Sequence, residues 1–190
     1  HPEWTAVGKF TYEHSIAVDV LQSLDAVASD RIGVLGHSLG GHGTLFLSAY
    51  DDRVAAAAGN CGGAFFRHNP GVEAWGRDRW YIYLKHIRPG LLSGTLPPID
   101  FHEIMALIAP RPFLDLSALN DGNPLTQRQR LLMLMRVMDV YELEQVPENF
   151  AFYVHGRGHS VAHESRELLY GWLDTHLKPA ETTATRLVAE

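Results

Sequence analysis

A serine, an aspartate and a histidine stand in three separate glycine-containing turns of this chain, and together they have the makings of nucleophilic acyl transfer. Ser38 lies in Gly36-His37-Ser38-Leu39-Gly40, Asp121 in Asn120-Asp121-Gly122-Asn123-Pro124, and His159 in His155-Gly156-Arg157-Gly158-His159-Ser160. An unassisted serine hydroxyl is a weak nucleophile at neutral pH. It needs a base within hydrogen-bond reach and a third group to orient that base. In this scheme His159 takes the Ser38 proton, Asp121 holds the imidazole, and the backbone N–H of Leu39 receives the developing oxyanion. The chemistry calls for no metal and no cofactor.

Each residue also has a plainer reading. Ser38 could simply cap a helix, and aspartate before glycine is an ordinary turn residue. Asp115 falls inside an apolar strand and Asp139 follows a helical stretch, which favours Asp121 as the orienting acid. Among the histidines, His155 ends a strand and His163 begins a helix; His159 alone sits in a glycine-flexed loop. The four-residue steps from His155 to His159 to His163 would suit metal ligands on one helix face, but Gly156 and Gly158 oppose a continuous helix there. A phosphate-cradling loop fits poorly, because no Lys-Ser/Thr pair follows the glycines and they do not fall as G-x-G-x-x-G. His37, beside the nucleophile, is a candidate substrate contact or a packing residue.

The elements that must position these residues follow from periodicity. Ala17, Val20, Leu21, Leu24, Val27 and Ala28 recur at helical steps and predict a helix over 12–29 with that face buried. Ile32 to Leu35 predicts a strand entering the Ser38 turn, and 44–50 a helix leaving it. A buried strand is expected over 54–58, of the kind parallel sheets use. A short helix over 100–108, a strand over 112–119, a helix over 126–141 with Leu131, Leu134, Met135 and Met138 on one face, a strand over 150–154 and a helix over 165–177 with Leu168, Leu169, Trp172 and Leu173 inward complete the series. The tail from Pro179 is expected to fray. Alternating helices and strands with right-handed crossovers give a mostly parallel sheet covered on both faces. The loops at the carboxyl ends of its strands converge on one edge, and Ser38, Asp121 and His159 all lie in such loops. The stretch at about 59–98 interrupts the pattern with Gly62-Gly63, Pro70-Gly71, Pro89-Gly90 and Pro97-Pro98. It reads as a lid-like insert whose aromatics, Phe65, Trp75 and Trp80 among them, either contact substrate or form a small core of their own.

With 190 residues, 46% of them hydrophobic, the chain can build a single domain with a real core. A net charge of −6 argues against a nucleic-acid or anionic-membrane surface. No run approaches the roughly 20 apolar residues of a membrane span. One cysteine, Cys61, rules out an internal disulfide.

The DRIGVLGHSLGG turn, the IDFHEIMALIAPRPFLD segment and the GRGHS loop resemble the α/β-hydrolases, and more narrowly their dienelactone hydrolase, acetyl xylan esterase and prolyl oligopeptidase-like branch. The order Ser, Asp, His matches that fold. The IAPRP stretch is also similar to glucuronoyl esterases, some of which place the acid after the strand equivalent to 54–58. Here that place holds Asn60 and Cys61, neither a carboxylate. The resemblance implies a serine esterase acting on a small-molecule or carbohydrate ester, acetyl or uronate, through an acyl-enzyme. A prolyl oligopeptidase-type peptidase and a non-catalytic scaffold are the alternatives. It also implies several strands before the nucleophile, where this sequence has one helix. The fold expected is therefore an N-terminally truncated α/β-hydrolase, its Ser38 strand an exposed apolar edge that a missing N-terminal segment or a homo-oligomer would cover.

Overall fold

The computed structural model describes residues 3–67, 69, 71–122 and 127–178. The turn through Asn123-Pro124, the helix start at Thr126 and the tail from Pro179 lie outside the described residues. In chain order the elements are α1 (Ala6–Gln22), β1 (Ile32–His37), α2 (Leu39–Tyr50), β2 (Val54–Asn60), α3 (Arg88–Leu92), α4 (Phe101–Ala106), β3 (Phe113–Ala118), α5 (Gln127–Leu143), β4 (Phe150–His155) and α6 (His163–Leu177).

The four strands form one parallel sheet in the order β1-β2-β3-β4. Each crossover moves one place along the sheet, so the loops after β1, β3 and β4 all open at the same edge. The register aligns those ends, His37 opposite Asn60 and Ala118 opposite His155. One face carries α2, α4 and α5, whose Leu45, Phe46, Met105, Leu134 and Tyr141 join the main core. The other carries α6, where Leu169 packs on Ala58, Leu114 and Leu116 with Trp172 and Leu173 beside it. Ala56, Ala57 and Ala58 of β2 are wholly buried. Their small side chains let the helices approach the sheet closely.

Two charged groups of the sequence turn out to be structural ties. Arg111, from the IAPRP stretch, donates to the carbonyls of Ser48, Asp51 and Val54 and so satisfies the carboxyl end of α2. Asp51 in turn pairs with Arg53, which donates also to the Ser15 hydroxyl (3.0 Å), fastening α1 to the end of α2. Between β2 and α4 the chain runs through two short 3₁₀ turns and α3. The buried Asp100 carboxylate anchors it, accepting from the N–H groups of Phe66 (2.7 Å) and Arg67 (3.0 Å).

Three helix faces differ from those expected. α1 starts earlier, at a Thr5 cap, and buries Val7 and Val18. Tyr12, Ile16, Val20 and Leu21 lie exposed, as does Leu24 beyond its end. An apolar stripe reports that a face meets an apolar partner; among the described residues the sheet stops at β1, so nothing lies under this one. In α5 the buried set is Met133, Leu134, Val137 and Tyr141, while Leu131, Met135 and Met138 are exposed. Tyr141 fixes that rotation by stacking on Phe150 at 5.2 Å and donating to the Arg111 carbonyl. In α6, Leu168 faces solvent and Leu169 the core.

Candidate active site

Ser38 follows β1 directly and precedes the first residue of α2, in a left-handed conformation (φ 58°, ψ −116°) that side chains rarely adopt. The turn is that tight because its flanks have no side chains. A Cβ on Gly36 would lie 2.1 Å from the Gly40 carbonyl oxygen. Gly41 and Gly62 likewise touch backbone to backbone, pressing α2 against the turn after β2. The Ser38 N–H donates to the Asn60 carbonyl (2.9 Å). Leu39 opens α2, so its N–H is one of the helix-terminal amides without an intrahelical acceptor.

From the loop after β4, His159 reaches back over this turn. Its Nδ1–H donates to Asp121 Oδ2 at 2.7 Å, and its Nε2 accepts from the Ser38 hydroxyl at 2.7 Å. The structure thus brings all three sequence-predicted residues into one unbroken relay. The tautomer follows from the acid: a carboxylate can only accept, which leaves the proton on Nδ1 and the lone pair on Nε2 facing the alcohol. Such an arrangement can pass the hydroxyl proton to the imidazole as the oxygen attacks.

The rival residues sit elsewhere. Asp115 is buried inside β3, where Ser117 Oγ donates to it (2.6 Å) and burial pushes its carboxyl up. His155 is buried at the end of β4, accepting from the Arg157 N–H, and His163 opens α6.

Two cavities flank the nucleophile. One of about 490 Å³ is lined by Ser38, Leu39, His42, Trp75, Arg77 and Tyr83. The other, about 380 Å³, is lined by His42, Phe65, Trp75, Asp121 and Arg130. Phe65 and Trp75 therefore border the site while also packing into the core. Trp80 is 89% exposed and lines neither, and His37 packs against the His159 ring at 4.7 Å. His42 separates the two cavities. Burial, then the Arg77 charge, lowers its pKa to about 4, so it is neutral at pH 7. The buried Tyr83 hydroxyl has its proton to place and donates to His42 Nδ1, which puts the ring's own proton on Nε2. Arg77 lies 4.7 Å over the Tyr83 ring and is held by the Tyr81 and Ala74 carbonyls.

Among the described residues, Cys61, Asp121 and His159 are the set whose donor atoms come within 4.8 Å of one another, as metal ligands would. The carboxylate and imidazole are already bonded to each other, and burial pushes the Cys61 thiol up to about 11, which keeps it protonated.

Two asparagines that the sequence reading named without giving them a role, Asn120 and Asn60, hold the loops together. Asn120 clips the acid loop to the base loop, its Nδ2 donating to the Gly156 carbonyl (2.9 Å) and its Oδ1 accepting from the Gly158 N–H (2.7 Å). Asn60, wholly buried, lies where β2 meets the nucleophile turn. The available signal was position: each is an amide side chain closing an apolar strand at the functional edge.

Known proteins share this architecture. A family profile described as glucuronyl esterase, fungi, matches residues 5–143. The chain is 30% identical over 132 residues to carbohydrate esterase MZ0003 from an unknown prokaryotic organism, covering 63% of this chain and 29% of that protein. It is 31% identical over 116 residues to YtaP of Bacillus subtilis (strain 168), covering 60% and 36%. In fold it is similar to a glucuronoyl esterase from Solibacter usitatus (TM-score 0.78, 22% identity, 92% of this chain and 50% of that one). A CE15 glucuronoyl esterase from Teredinibacter turnerae T7901 is comparable (TM-score 0.71, 24% identity, 92% and 48%). The chain spans about a third of the length of the curated relatives it matches and half that of these structures. With most of its length inside the family profile and an α/β sheet that superposes on these enzymes, the chain belongs to the glucuronyl esterase family.

Proposed function

We propose that this chain carries the catalytic residues of a serine carboxylic-ester hydrolase acting on uronate sugar esters. The observation that carries the reading is the continuous Asp121–His159–Ser38 relay, with both contacts at 2.7 Å. Ser38 Oγ attacks the ester carbonyl while its proton passes to His159 Nε2, and Asp121 stabilises the imidazolium that forms. The oxyanion accepts from the Leu39 N–H at the positive end of α2. His159 then returns the proton to the departing alcohol, and water, activated by the same imidazole, releases the acid.

The substrate class is supported by the family and by the site. The cavity beside Ser38 joins the half-buried ring of Trp75, on which a sugar can lie, to Arg77 and the neutral His42. The segment between β2 and α4, with the 3₁₀ turn that carries Trp75, serves as its cover. The β1 edge and the exposed face of α1 are the surface on which the rest of the fold assembles, as N-terminal polypeptide or a second copy.

A fluorophosphonate probe should label the chain and fail to label Ser38→Ala. A folded chain that resists the probe overturns the reading. Hydrolysis of a methyl glucuronate ester in preference to p-nitrophenyl acetate supports the uronate assignment. Cleavage of proline-containing peptide amides without either ester would overturn it.

A further inference from the structure

The Asn60 side chain, at the end of β2, touches both the nucleophile turn and the base loop. It is 0% exposed, and all of its polar groups are engaged. Its Nδ2 donates to the carbonyl of Ser160, the residue after His159, at 2.9 Å, and lies 3.0 Å from Nδ1 of His37, the residue before Ser38. Its Oδ1 faces the Cys61 thiol at 3.6 Å, and its backbone carbonyl accepts from the Ser38 N–H. The amide cannot be turned over, because that would set Oδ1 against the Ser160 carbonyl oxygen, two acceptors in contact.

This orientation has a chemical consequence for the neighbouring ring. One Nδ2 proton goes to Ser160 and the other points at His37 Nδ1, so Nδ1 must be an acceptor and the His37 proton must sit on Nε2. His37 packs on His159 with ring centroids 4.7 Å apart. The charged groups facing it are His159 and the Asp121 carboxylate. A protonated His37 would set one cation against the imidazolium that His159 becomes when it takes the Ser38 proton. Holding His37 neutral removes that repulsion at the moment charge develops.

We propose that Asn60 is a positioning residue: it ties the base loop to the nucleophile turn and locks His37 as a neutral ring with Nδ1 unprotonated against His159. Burial and then the His159 charge lower the His37 pKa, outweighing the upward pull of the Asn60 backbone and the Asp121 charge. The catalytic half of this inference rests on the proposed serine hydrolase reading, whereas the tautomer lock does not.

The test has two readouts. In the wild-type chain, imidazole ¹⁵N correlations should show His37 as the Nε2–H tautomer across pH 6–8. An Nδ1–H tautomer, or a doubly protonated ring at pH 6.5, overturns the lock whether or not the protein is an esterase. In Asn60→Ala, folded by circular dichroism, fluorophosphonate labelling of Ser38 should slow about 10- to 100-fold, the worth of two buried hydrogen bonds, and His37 should titrate nearer its ordinary range. A folded Asn60→Ala labelled within twofold of wild type overturns the positioning role. If Asn60→Ala does not fold, Asn60→Asp keeps the shape and replaces the donor by an acceptor. His37 should then carry its proton on Nδ1, and labelling should slow to a similar degree; an unchanged tautomer sinks the proposal. A wild-type chain that is never labelled defeats the hydrolase reading and leaves the ¹⁵N result to decide the lock.

Discussion

The carboxyl edge of the sheet and the flank formed by α1 and β1 were built by opposite means. At the edge, three loops are bound by short polar contacts: Ser38 to Asn60 through the backbone, Asn60 to the base loop, Asn120 to the same loop, and His159 to Asp121. On the flank, Tyr12, Ile16, Val20, Leu21 and Leu35 face solvent around an unpaired strand edge. The edge is specified by directional bonds among its own residues, so the Asp121–His159–Ser38 relay is held by the described residues themselves. The flank is specified only by apolarity, which names no partner. A polar network can be read as finished or unfinished; an apolar face reads the same whether it is covered or bare.

The largest effect should come from the edge. Asp121→Asn leaves the shape but offers His159 an amide that can donate, so the wrong tautomer becomes available. The drop in kcat should be on the order of 10³- to 10⁴-fold. Asp121 is partly exposed, so the melting temperature should barely move. A loss of activity matched by a loss of fold would mean the edge network is a stability device rather than a catalytic one.

The next effect is on stability against pH. His42 has its pKa lowered to about 4 by burial. Between that value and the ordinary value near 6.5 the unfolded chain binds more protons than the folded one. The contribution is therefore complete above about pH 6.5, declines as pH falls through that window, and is lost below about pH 4. It amounts to about 3 kcal/mol, seen as a melting temperature that falls toward pH 4. His42→Asn should flatten that part of the profile, and an unchanged slope would show that His42 is not held neutral by burial.

Asn120 tests how much of the edge is redundant. Its two bonds to the base loop are exposed, unlike those of Asn60. Asn120→Ala should lower kcat by about 5- to 20-fold with little change in KM. An effect as large as that of Asp121→Asn would make this clip, rather than the carboxylate, the main support of the imidazole.

Much of the molecule was legible in the sequence, and the contrast between edge and flank explains what was not. The strand–turn–helix at Ser38 could be read because glycine spacing reports backbone geometry directly. β2 and β3 could be read because buried strands are nearly continuous apolar runs. The inward face of α1 could not: Val18 and Val20 are alike in type and two positions apart, and only the position of the sheet decides that Val18 is buried and Val20 exposed. In α5 the same ambiguity was resolved by Tyr141, whose stacking on Phe150 depends on the neighbouring strand. Asn60 and Asn120 escaped because an asparagine's role lies in which loop its amide meets, a tertiary fact that no local spacing encodes.

The smallest effect on stability is expected on the flank, and there it is most informative. Val20 is 54% exposed and Leu24 49% exposed, so replacing both by glutamate removes little buried apolar surface within this chain. The melting temperature of Val20→Glu/Leu24→Glu should stay within about 2 °C of wild type, since surface substitutions away from packed features change stability by about 0.5 kcal/mol or less. Val18→Glu, two residues along the same helix but 3% exposed, is the control that should fail to fold well. The double variant should also reduce concentration-dependent self-association in size-exclusion chromatography, because charges on an edge oppose non-specific pairing. A large fall in melting temperature would mean that the face is already covered in solution by a second copy of the chain, and the contrast between a finished edge and an open flank would have to be redrawn around that interface.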